Sequence, residues 1–253
     1  MLAFTFPWLK RRPMNEQPLT TIVTGGSSGI GLATATLFFQ RGYRVAFCGR
    51  NAVRLEAAKQ QMLAIDNRPD DLASFVADLE APETMQAFAD SALEFLGSAN
   101  VLVNNAAVAP MEQFESIAAE QFESLVNVNV KSVFYLTQAI WRRMIKSGGG
   151  TIVNISSLSA VDPFPGFSLY GSSKAWLDLM TLALAAEGQA HSLRVCSIRP
   201  GAVETPLLRG LFPDFPADQC VLPQQVAKMV LGCVEQPEKY PSGQFFPVTN
   251  QSE

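Results

Sequence analysis

The chain has 253 residues, 48% of them hydrophobic, and carries a formal net charge of −4 at pH 7. This length is more than enough to build one large hydrophobic core. The acidic balance, with no basic cluster beyond residues 10–12, argues against nucleic acid as a partner. Four cysteines without paired spacing and a single histidine argue against a disulfide or a metal site.

Residues 1–19 are predicted to form a disordered tail, and residues 20–253 to form the folded domain. The tail opens with the apolar run Met1–Leu9, and its basic residues come afterwards, whereas a secretory signal has them in front. This run is also too short to span a membrane. A weak interfacial anchor and a natural start at Met14 remain open alternatives. We expect a cytoplasmic protein without a membrane-spanning segment.

The first predicted strand, 20–24, leads directly into a glycine-rich turn and then into a helix over 32–40. This order is the context that a dinucleotide-binding turn requires. Glycines let the backbone approach a pyrophosphate, and the helix N-terminus offers free N–H groups and a positive dipole end. An ordinary glycine-rich connection is the alternative. The residues predicted to bind the cofactor here are Gly25, Ser27, Ser28, Gly29, Ile30 and Gly31.

The second predicted strand, 44–48, is followed by Gly49 and Arg50, with no carboxylate at its end. In dinucleotide-binding folds an acidic residue at this point takes the ribose 2′-hydroxyl of NAD, whereas an arginine accommodates the 2′-phosphate of NADP. A planar guanidinium group suits a phosphate. Arg50 therefore favours NADP(H) over NAD(H), unless it is only a solvated loop residue.

Further short apolar runs predict strands separated by helices. The predicted strands lie at 72–77, 100–104, 151–156, 193–198 and 244–248. Runs such as Thr151–Ile155 are apolar on both faces, as in a parallel sheet that is covered by helices. We therefore predict an α/β fold: a single-domain, Rossmann-type, doubly wound parallel sheet of about seven strands with helices on both faces.

Tyr170 and Lys174 are four residues apart on a predicted helix, so the phenol and the ammonium group share one face. An adjacent cation favours the phenolate and lowers the pKa of tyrosine, which makes it usable as a general acid and base. Ser157 adds a hydroxyl that can hold the oxygen that gains or loses the proton. Such a group interconverts an alcohol and a carbonyl when a hydride is supplied. The alternative is a surface helix whose tyrosine rests on a lysine stem.

Taken together, these motifs resemble the short-chain dehydrogenase/reductase family, in the single-domain form that includes 3-oxoacyl-carrier-protein reductases. The match runs from about Thr20 to Val248. The family landmarks appear in order as Thr24-Gly-x-x-x-Gly29-x-Gly31, Asp78-Leu79, Asn104-Asn-Ala-Ala107, Val128-Asn129-Val-Lys131, Ser157, Tyr170-x-x-x-Lys174 and Pro200-Gly201-x-Val-x-Thr205. The chain departs from the family pattern at Ala107, where glycine is common.

The resemblance implies roles for the catalytic residues. Tyr170 would donate the proton in reduction and accept it in oxidation. Lys174 would lower the pKa of Tyr170 and bind the nicotinamide ribose, and Ser157 would orient the substrate oxygen. Asn129 would hold a water that links Lys174 to solvent, although Asn127 is an alternative for that position.

The resemblance also implies further contacts with the cofactor. Asp78 and Leu79 would meet the adenine, and Thr205 the nicotinamide carboxamide. The other cofactor contacts expected are Asn104, Ala106, Pro200, Gly201 and Val203, in addition to Tyr170 and Lys174.

The function expected from these features is an NADP(H)-dependent oxidoreductase that interconverts a carbonyl and a secondary alcohol. An NAD-dependent alcohol dehydrogenase and a non-catalytic dinucleotide sensor are the alternatives. Two segments rich in Phe, Leu and Pro, at 158–169 and 206–216, predict an apolar substrate pocket, unless they only pack a lid on the core. The resemblance also implies a homodimer or homotetramer formed through helices at about 113–146 and 170–189.

Overall fold

Seven parallel strands form a single sheet in the computed structural model, which describes residues 18–250. The strands are β1 (Thr20–Val23), β2 (Arg44–Gly49), β3 (Leu72–Val76), β4 (Val101–Asn104), β5 (Gly150–Ile155), β6 (Leu193–Pro200) and β7 (Phe245–Val248). Their order in the sheet is β3-β2-β1-β4-β5-β6-β7. All seven predicted strands are confirmed. The tail predicted at residues 1–19 lies almost wholly outside the described range and stays a prediction.

Helices connect consecutive strands across this sheet. Between residues 18 and 250 they are α1 (Gly29–Gln40), α2 (Ala52–Ile65), α3 (Pro82–Leu96), α4 (Ala119–Leu125), α5 (Ser132–Lys146), α6 (Ser168–Gly188), α7 (Pro206–Leu211) and α8 (Pro223–Glu235). In the part of the chain that the structure describes, none of these helices combines the length and hydropathy needed to cross a membrane.

The core has two layers because successive residues of a strand point to opposite faces of the sheet. In β1, Val23 packs with α1, α2 and α8 on one face, and Ile22 packs with α3, α5 and α6 on the other. Both residues are fully buried, which explains why the strands read as continuous apolar runs. The predicted doubly wound α/β class is therefore confirmed.

Two helices differ from their predicted bounds. Helix α1 begins at Gly29 instead of residue 32, because Leu32 already donates its N–H to the carbonyl of Ser28 at 3.1 Å. The helix predicted from residue 113 begins at Ala119 instead. The side chain of Gln121 accepts the N–H of Ala118, the N-cap residue, at 2.9 Å. Helices α4 and α5 are joined by one π-helical stretch, Val126–Lys131.

A buried polar network joins the middle of the sheet to α5 and α6. Asn104 and Asn154 are paired neighbours on β4 and β5, and Asn104 Nδ2 donates to Asn154 Oδ1 at 2.8 Å. Asn104 Nδ2 also donates to Thr137 of α5, at 3.0 Å, and Asn154 Nδ2 donates to Thr181 of α6, at 2.8 Å. The network therefore fixes α6, which carries Tyr170 and Lys174, against the sheet.

We predict that Asn154→Ala lowers the free energy of unfolding by about 1–3 kcal/mol, because it leaves buried polar partners without a hydrogen bond. The control is Asn127→Ala, whose half-buried side chain accepts only from Lys131 Nζ; this variant should change the free energy of unfolding by no more than about 0.5 kcal/mol. Urea unfolding of both variants tests this prediction. Equal losses of stability would contradict it.

Candidate active site

A cleft of about 1170 Å³ opens at the carboxyl ends of the strands, where the strand order reverses between β1 and β4. Doubly wound sheets bind their ligands at this switch point. The predicted site residues that line the cleft are Gly25, Ser27, Ser28, Gly29, Ile30, Arg50, Asp78, Leu79, Ala106, Ser157, Tyr170, Lys174, Pro200, Gly201, Val203 and Thr205. Three further predicted residues, Gly31, Asn104 and Asn129, lie behind its wall.

The glycine-rich turn has the close backbone packing that a pyrophosphate site needs. Gly29 adopts a φ of +54°, which disfavours other residues. A Cβ on Gly31 would lie only 2.1 Å from the carbonyl oxygen of Gly25, so this position requires glycine. Ser28, the N-cap of α1, makes no capping bond with its side chain, so its hydroxyl stays available to a ligand at the helix N-terminus. The turn therefore fits a dinucleotide pyrophosphate.

Two arginines stand at one end of the cleft. Arg50 follows β2 as predicted, and Arg54 lies one helical turn later, with both side chains exposed and lining the cleft. Asn51 caps α2 by accepting the N–H of Arg54 at 2.9 Å. Arg54 was not predicted from the sequence; it lies in the first turn of α2, whereas Arg50 precedes the N-cap of that helix. This end of the cleft carries two positive charges suited to a phosphate.

Asn104 and its neighbour Asn105 lie in different surroundings. Asn104 is buried in the polar network between β4 and β5, whereas Asn105 lines the cleft. Asn105 donates from its side chain to the carbonyl of Thr24 at 2.8 Å and from its backbone to Thr24 Oγ1 at 2.9 Å. Asn105 therefore lines the cleft beside the buried Asn104, and the cofactor contact expected at Asn104 stays a prediction.

Asn129, in the π-helical stretch, fixes the loop after β4 to α6. Its side chain exchanges two hydrogen bonds with the backbone of Val108, both at 2.9 Å, and donates to Ser173 Oγ at 3.1 Å. Asn129 is buried beside α6, whereas Asn127 is bound by Lys131 Nζ at the surface. Of the two candidates, Asn129 is therefore the residue next to the helix that carries Lys174.

Tyr170 is buried in the cleft wall at the start of α6. Phe167 meets its ring edge-on with the centroids 5.3 Å apart, and Lys174 Nζ lies 5.6 Å from the ring centroid. Burial raises the pKa of Tyr170 to about 12, and a hydrogen bond with Ser157 acts in the opposite direction. The lowered pKa that the sequence predicted is therefore wrong for this structure, because removal of the phenol from water dominates and only the hydrogen bond with Ser157 opposes it.

Lys174 is also buried, and its ammonium group donates to the carbonyl of Ile155 at 2.8 Å. Burial lowers the pKa of Lys174 to about 8, while Asp178, one helical turn later, raises it. Asp178 accepts from Ser197 Oγ at 2.7 Å and from Arg199 Nε at 2.8 Å. A buried carboxylate anchored to β6 thus helps to keep Lys174 charged, and the sequence analysis did not identify it.

Ser157 stands directly after β5, at the start of the segment that leads to Tyr170. Its Oγ accepts the N–H of Ser159 at 3.1 Å, which fixes the side chain as the cap of a short 3₁₀ turn. This bond does not use the hydroxyl proton, so Ser157 can still donate a hydrogen bond. The arrangement suits a residue that orients a substrate oxygen next to Tyr170.

The residues of this cleft supply proton-transfer groups and no metal-binding group. Within residues 18–250, no three His, Cys, Asp or Glu side chains come together as ligands for an ion. The four cysteines, Cys48, Cys196, Cys220 and Cys233, are buried and free. Tyr170, Lys174 and Ser157 line this cleft together and are the residues predicted to carry its chemistry.

Comparison with known proteins identifies relatives along most of the chain. The sequence model of a family described as short chain dehydrogenase matches residues 19–215. Carbonyl reductase (NADPH) 2 of Sus scrofa is 36% identical over 202 residues, which cover 79% of this chain and 78% of that protein. The 3-oxoacyl-acyl-carrier-protein reductase FabG of Chlamydia trachomatis is 30% identical over 237 residues, which cover 90% of this chain and 95% of that protein.

A solved structure of a reductase is also similar to this chain. The 3-ketoacyl-(acyl-carrier-protein) reductase of Brucella melitensis, complexed with NADH, superposes with a TM-score of 0.82 at 25% identity, covering 92% of this chain and 97% of its own. The fold, the cleft and these matches agree, and the chain belongs to the short-chain dehydrogenase/reductase family of oxidoreductases.

Proposed function

We propose that the protein is an NADP(H)-dependent oxidoreductase (EC 1.1.1.-) that interconverts a carbonyl and a secondary alcohol, with Tyr170 as general acid and base. The observation that carries the proposal is the arrangement of a single cleft. Ser157, Tyr170 and Lys174 line one part of it, and the glycine turn with Arg50 lines another. When bound, the dinucleotide supplies the hydride, and the side chains supply placement and the proton.

The protonation state of Tyr170 supports carbonyl reduction. With its pKa raised to about 12 by burial, the phenol keeps its proton at neutral pH and can donate it to a developing alkoxide. Ser157, which is hydrogen-bonded with Tyr170, would donate its hydroxyl proton to a substrate oxygen that lies beside the phenol. In alcohol oxidation the same oxygen would accept the proton, so the phenol would first have to be deprotonated. Its high pKa makes that deprotonation less favourable.

Lys174 would contact both the cofactor and Tyr170. Its ammonium group is tied to the carbonyl of Ile155 and is further stabilised by the carboxylate of Asp178. We expect it to bind the nicotinamide ribose hydroxyls and to stabilise negative charge that develops on Tyr170 during proton transfer. Asn129, which fixes the loop after β4 to α6, would keep a water beside this group.

The preference for NADP(H) rests on Arg50 and Arg54. Both side chains are exposed at the end of the cleft, where two guanidinium groups would attract a 2′-phosphate. A second candidate is an NAD-dependent alcohol dehydrogenase, because the similar reductase of Brucella melitensis is complexed with NADH. Asp78 and Leu79 line the cleft on the same side and would meet the adenine in either case.

The substrate we expect is a small apolar carbonyl compound, since Phe and Leu side chains from residues 158–169 and 206–216 line the rest of the cleft. A 3-oxoacyl thioester is one candidate, given that two similar proteins are named as reductases of that kind. We further propose that the protein is cytoplasmic. It would assemble as a homodimer or homotetramer, since Phe134 and Tyr135 of α5 and Leu179 and Leu182 of α6 expose 42–67% of their surface.

Replacement of Tyr170 by phenylalanine tests the proton-transfer role. We predict that Tyr170→Phe lowers kcat for NADPH-dependent carbonyl reduction by at least about a hundredfold and leaves the Kd of NADPH unchanged. Steady-state kinetics and a fluorescence titration measure the two quantities. Tyr240→Phe removes a hydroxyl far from the cleft and serves as the matched control. Near-normal turnover of Tyr170→Phe would refute the assigned role.

The cofactor preference is tested at the two arginines. Arg50→Ala and Arg54→Ala should each raise the Kd of NADPH by about tenfold or more, because each removes a charged contact with the 2′-phosphate, and leave that of NADH unchanged. The control is Arg142→Ala, which removes an equal charge from an exposed position on α5. If wild-type protein binds NADH as tightly as NADPH, the NAD-dependent alternative replaces our proposal.

The pH dependence of reduction should reflect Lys174. Its pKa is lowered to about 8, so the ammonium group is charged below that pH and neutral above it. The rate should therefore fall as the pH rises through about 8, well before Tyr170 loses its proton. Asp178→Asn removes the carboxylate that raises this pKa and should move the decline to lower pH.

Glu187→Gln, which neutralises an exposed carboxylate on the same helix, provides the comparison for Asp178→Asn. Its pH profile should match that of the wild-type protein. Circular dichroism at each pH separates a change in the profile from unfolding. A decline that stays at the same pH in Asp178→Asn would show that this carboxylate does not act on Lys174.

A further inference from the structure

Four phenylalanines form the substrate end of the cleft, and we refer to them as the aromatic wall: Phe164, Phe167, Phe212 and Phe215. Two come from the segment between Ser157 and Tyr170, and two from the segment after α7. The rings of Phe164 and Phe167 stack with centroids 4.3 Å apart, and Phe212 lies 6.1 Å from each of them. Two segments that are remote in sequence thus present one continuous aromatic surface.

The aromatic wall reaches from Tyr170 to the mouth of the cleft. Phe167 is 5% exposed and meets the ring of Tyr170 edge-on at 5.3 Å, whereas Phe164 is 44% exposed. Phe167 is therefore part of the core, and Phe164 keeps nearly half of its surface for another group. A ring attached to a carbonyl that reaches Tyr170 would lie against this surface, where offset-stacked and edge-to-face contacts are favourable.

The charges around the aromatic wall disfavour a substrate that carries an anionic group. Of the charged residues that line the cleft, Arg50, Arg54 and Asp78 follow β2 and β3, at the other end from Tyr170. Near the wall stand Lys174, which is buried and bound to Ile155, and the exposed carboxylate of Asp162. Asp162 would repel a carboxylate or a phosphate on the substrate.

A further cation, Arg209 of α7, is engaged by Glu204 and by backbone carbonyls of the segment that carries Phe212 and Phe215. Its Nε donates to Glu204 Oε1 at 2.8 Å. One terminal nitrogen donates to the backbone carbonyls of Pro213 and Phe215, at 3.1 and 2.6 Å, and the other donates to Glu204. Arg209 thus holds the segment that carries Phe212 and Phe215 in place, and its positive charge is paired with Glu204 instead of facing the substrate.

We propose that the substrate is an uncharged ketone that carries an aromatic ring next to its carbonyl group; this inference rests on the proposed function. A rigid ring gains contacts with the aromatic wall and loses less conformational freedom on binding than a flexible chain with the same number of carbons. In the reaction, hydride adds to the carbonyl carbon, the C=O π electrons move to oxygen, and Tyr170 gives that oxygen its proton. The dinucleotide is oxidised and the ketone is reduced to an aryl carbinol.

The test compares ketones that are matched in carbon number, with NADPH and the full-length protein. Acetophenone should show a kcat/KM about tenfold above that of 2-octanone, with cyclohexyl methyl ketone between them. Adding a para-carboxylate to acetophenone should lower kcat/KM by about tenfold, because the anion meets Asp162 and, among the described residues that line this part of the cleft, no free cation. Asp162→Asn should recover part of that loss.

Phe164→Leu and Phe212→Leu keep the wall apolar but remove a ring. Each should reduce the preference for acetophenone over 2-octanone, measured as the ratio of the two kcat/KM values, by about threefold. The control is Phe114→Leu, since Phe114 is 79% exposed and does not line the cleft. Because Phe164 is itself largely exposed, its variant should fold normally even if the Phe212 variant does not.

The outcomes separate this inference from the proposed function. If 2-octanone or an acyl-carrier-linked 3-oxoacyl chain is reduced as fast as acetophenone or faster, the aromatic assignment is overturned and the proposed function stands. The same holds if the carboxylated ketone is preferred. If the protein binds NADPH but reduces none of these compounds, both the inference and the proposed function fail.

Discussion

The site depends on the burial of two ionisable side chains, Tyr170 and Lys174, on one face of α6. Removal from water raises the pKa of the phenol to about 12 and lowers that of the ammonium group to about 8. A buried ammonium group needs hydrogen bonds and a nearby negative charge, which Ile155 and Asp178 provide. The sheet therefore supports this face of α6, because Ile155 of β5 accepts from Lys174, and two side chains of β6, Ser197 and Arg199, donate to Asp178.

The groups suited to phosphate binding and those suited to proton transfer lie in different parts of the cleft. Binding groups for phosphate follow β1 and β2, where the glycine turn and two arginines provide N–H donors and positive charge. In the proposed function, proton transfer would take place beyond β5, in apolar surroundings formed by the aromatic wall. This separation keeps positive charge where a dinucleotide would need it and keeps the surroundings of Tyr170 poor in water. A protonated phenol in such surroundings can donate to a developing alkoxide, which is consistent with the carbonyl reduction that we propose.

The sequence predicted the strands and the cleft-lining motifs because their signals are local. A β-branched run predicts a strand, and glycines between a strand and a helix predict a tight turn. The burial effects were not predictable in this way. The four-residue spacing of Lys174 and Asp178 was visible in the sequence, but their burial follows from the packing of α6 on the sheet. Asn104 is likewise buried, paired with Asn154 of the neighbouring strand. The expected fall in the pKa of Tyr170 was wrong for the same reason, since burial is set by the whole fold.

The most direct test of the account follows a deuterium label from the cofactor to the product. The protein would be supplied with NADPH that carries deuterium on the transferred position of nicotinamide C4, with acetophenone as the ketone, and the product examined by mass spectrometry and NMR. We expect the wild-type protein to form a product with one deuterium on the carbinol carbon, and we expect this product to be lost with Tyr170→Phe. Unlabelled carbinol, or labelled carbinol formed equally fast by Tyr170→Phe, would contradict it.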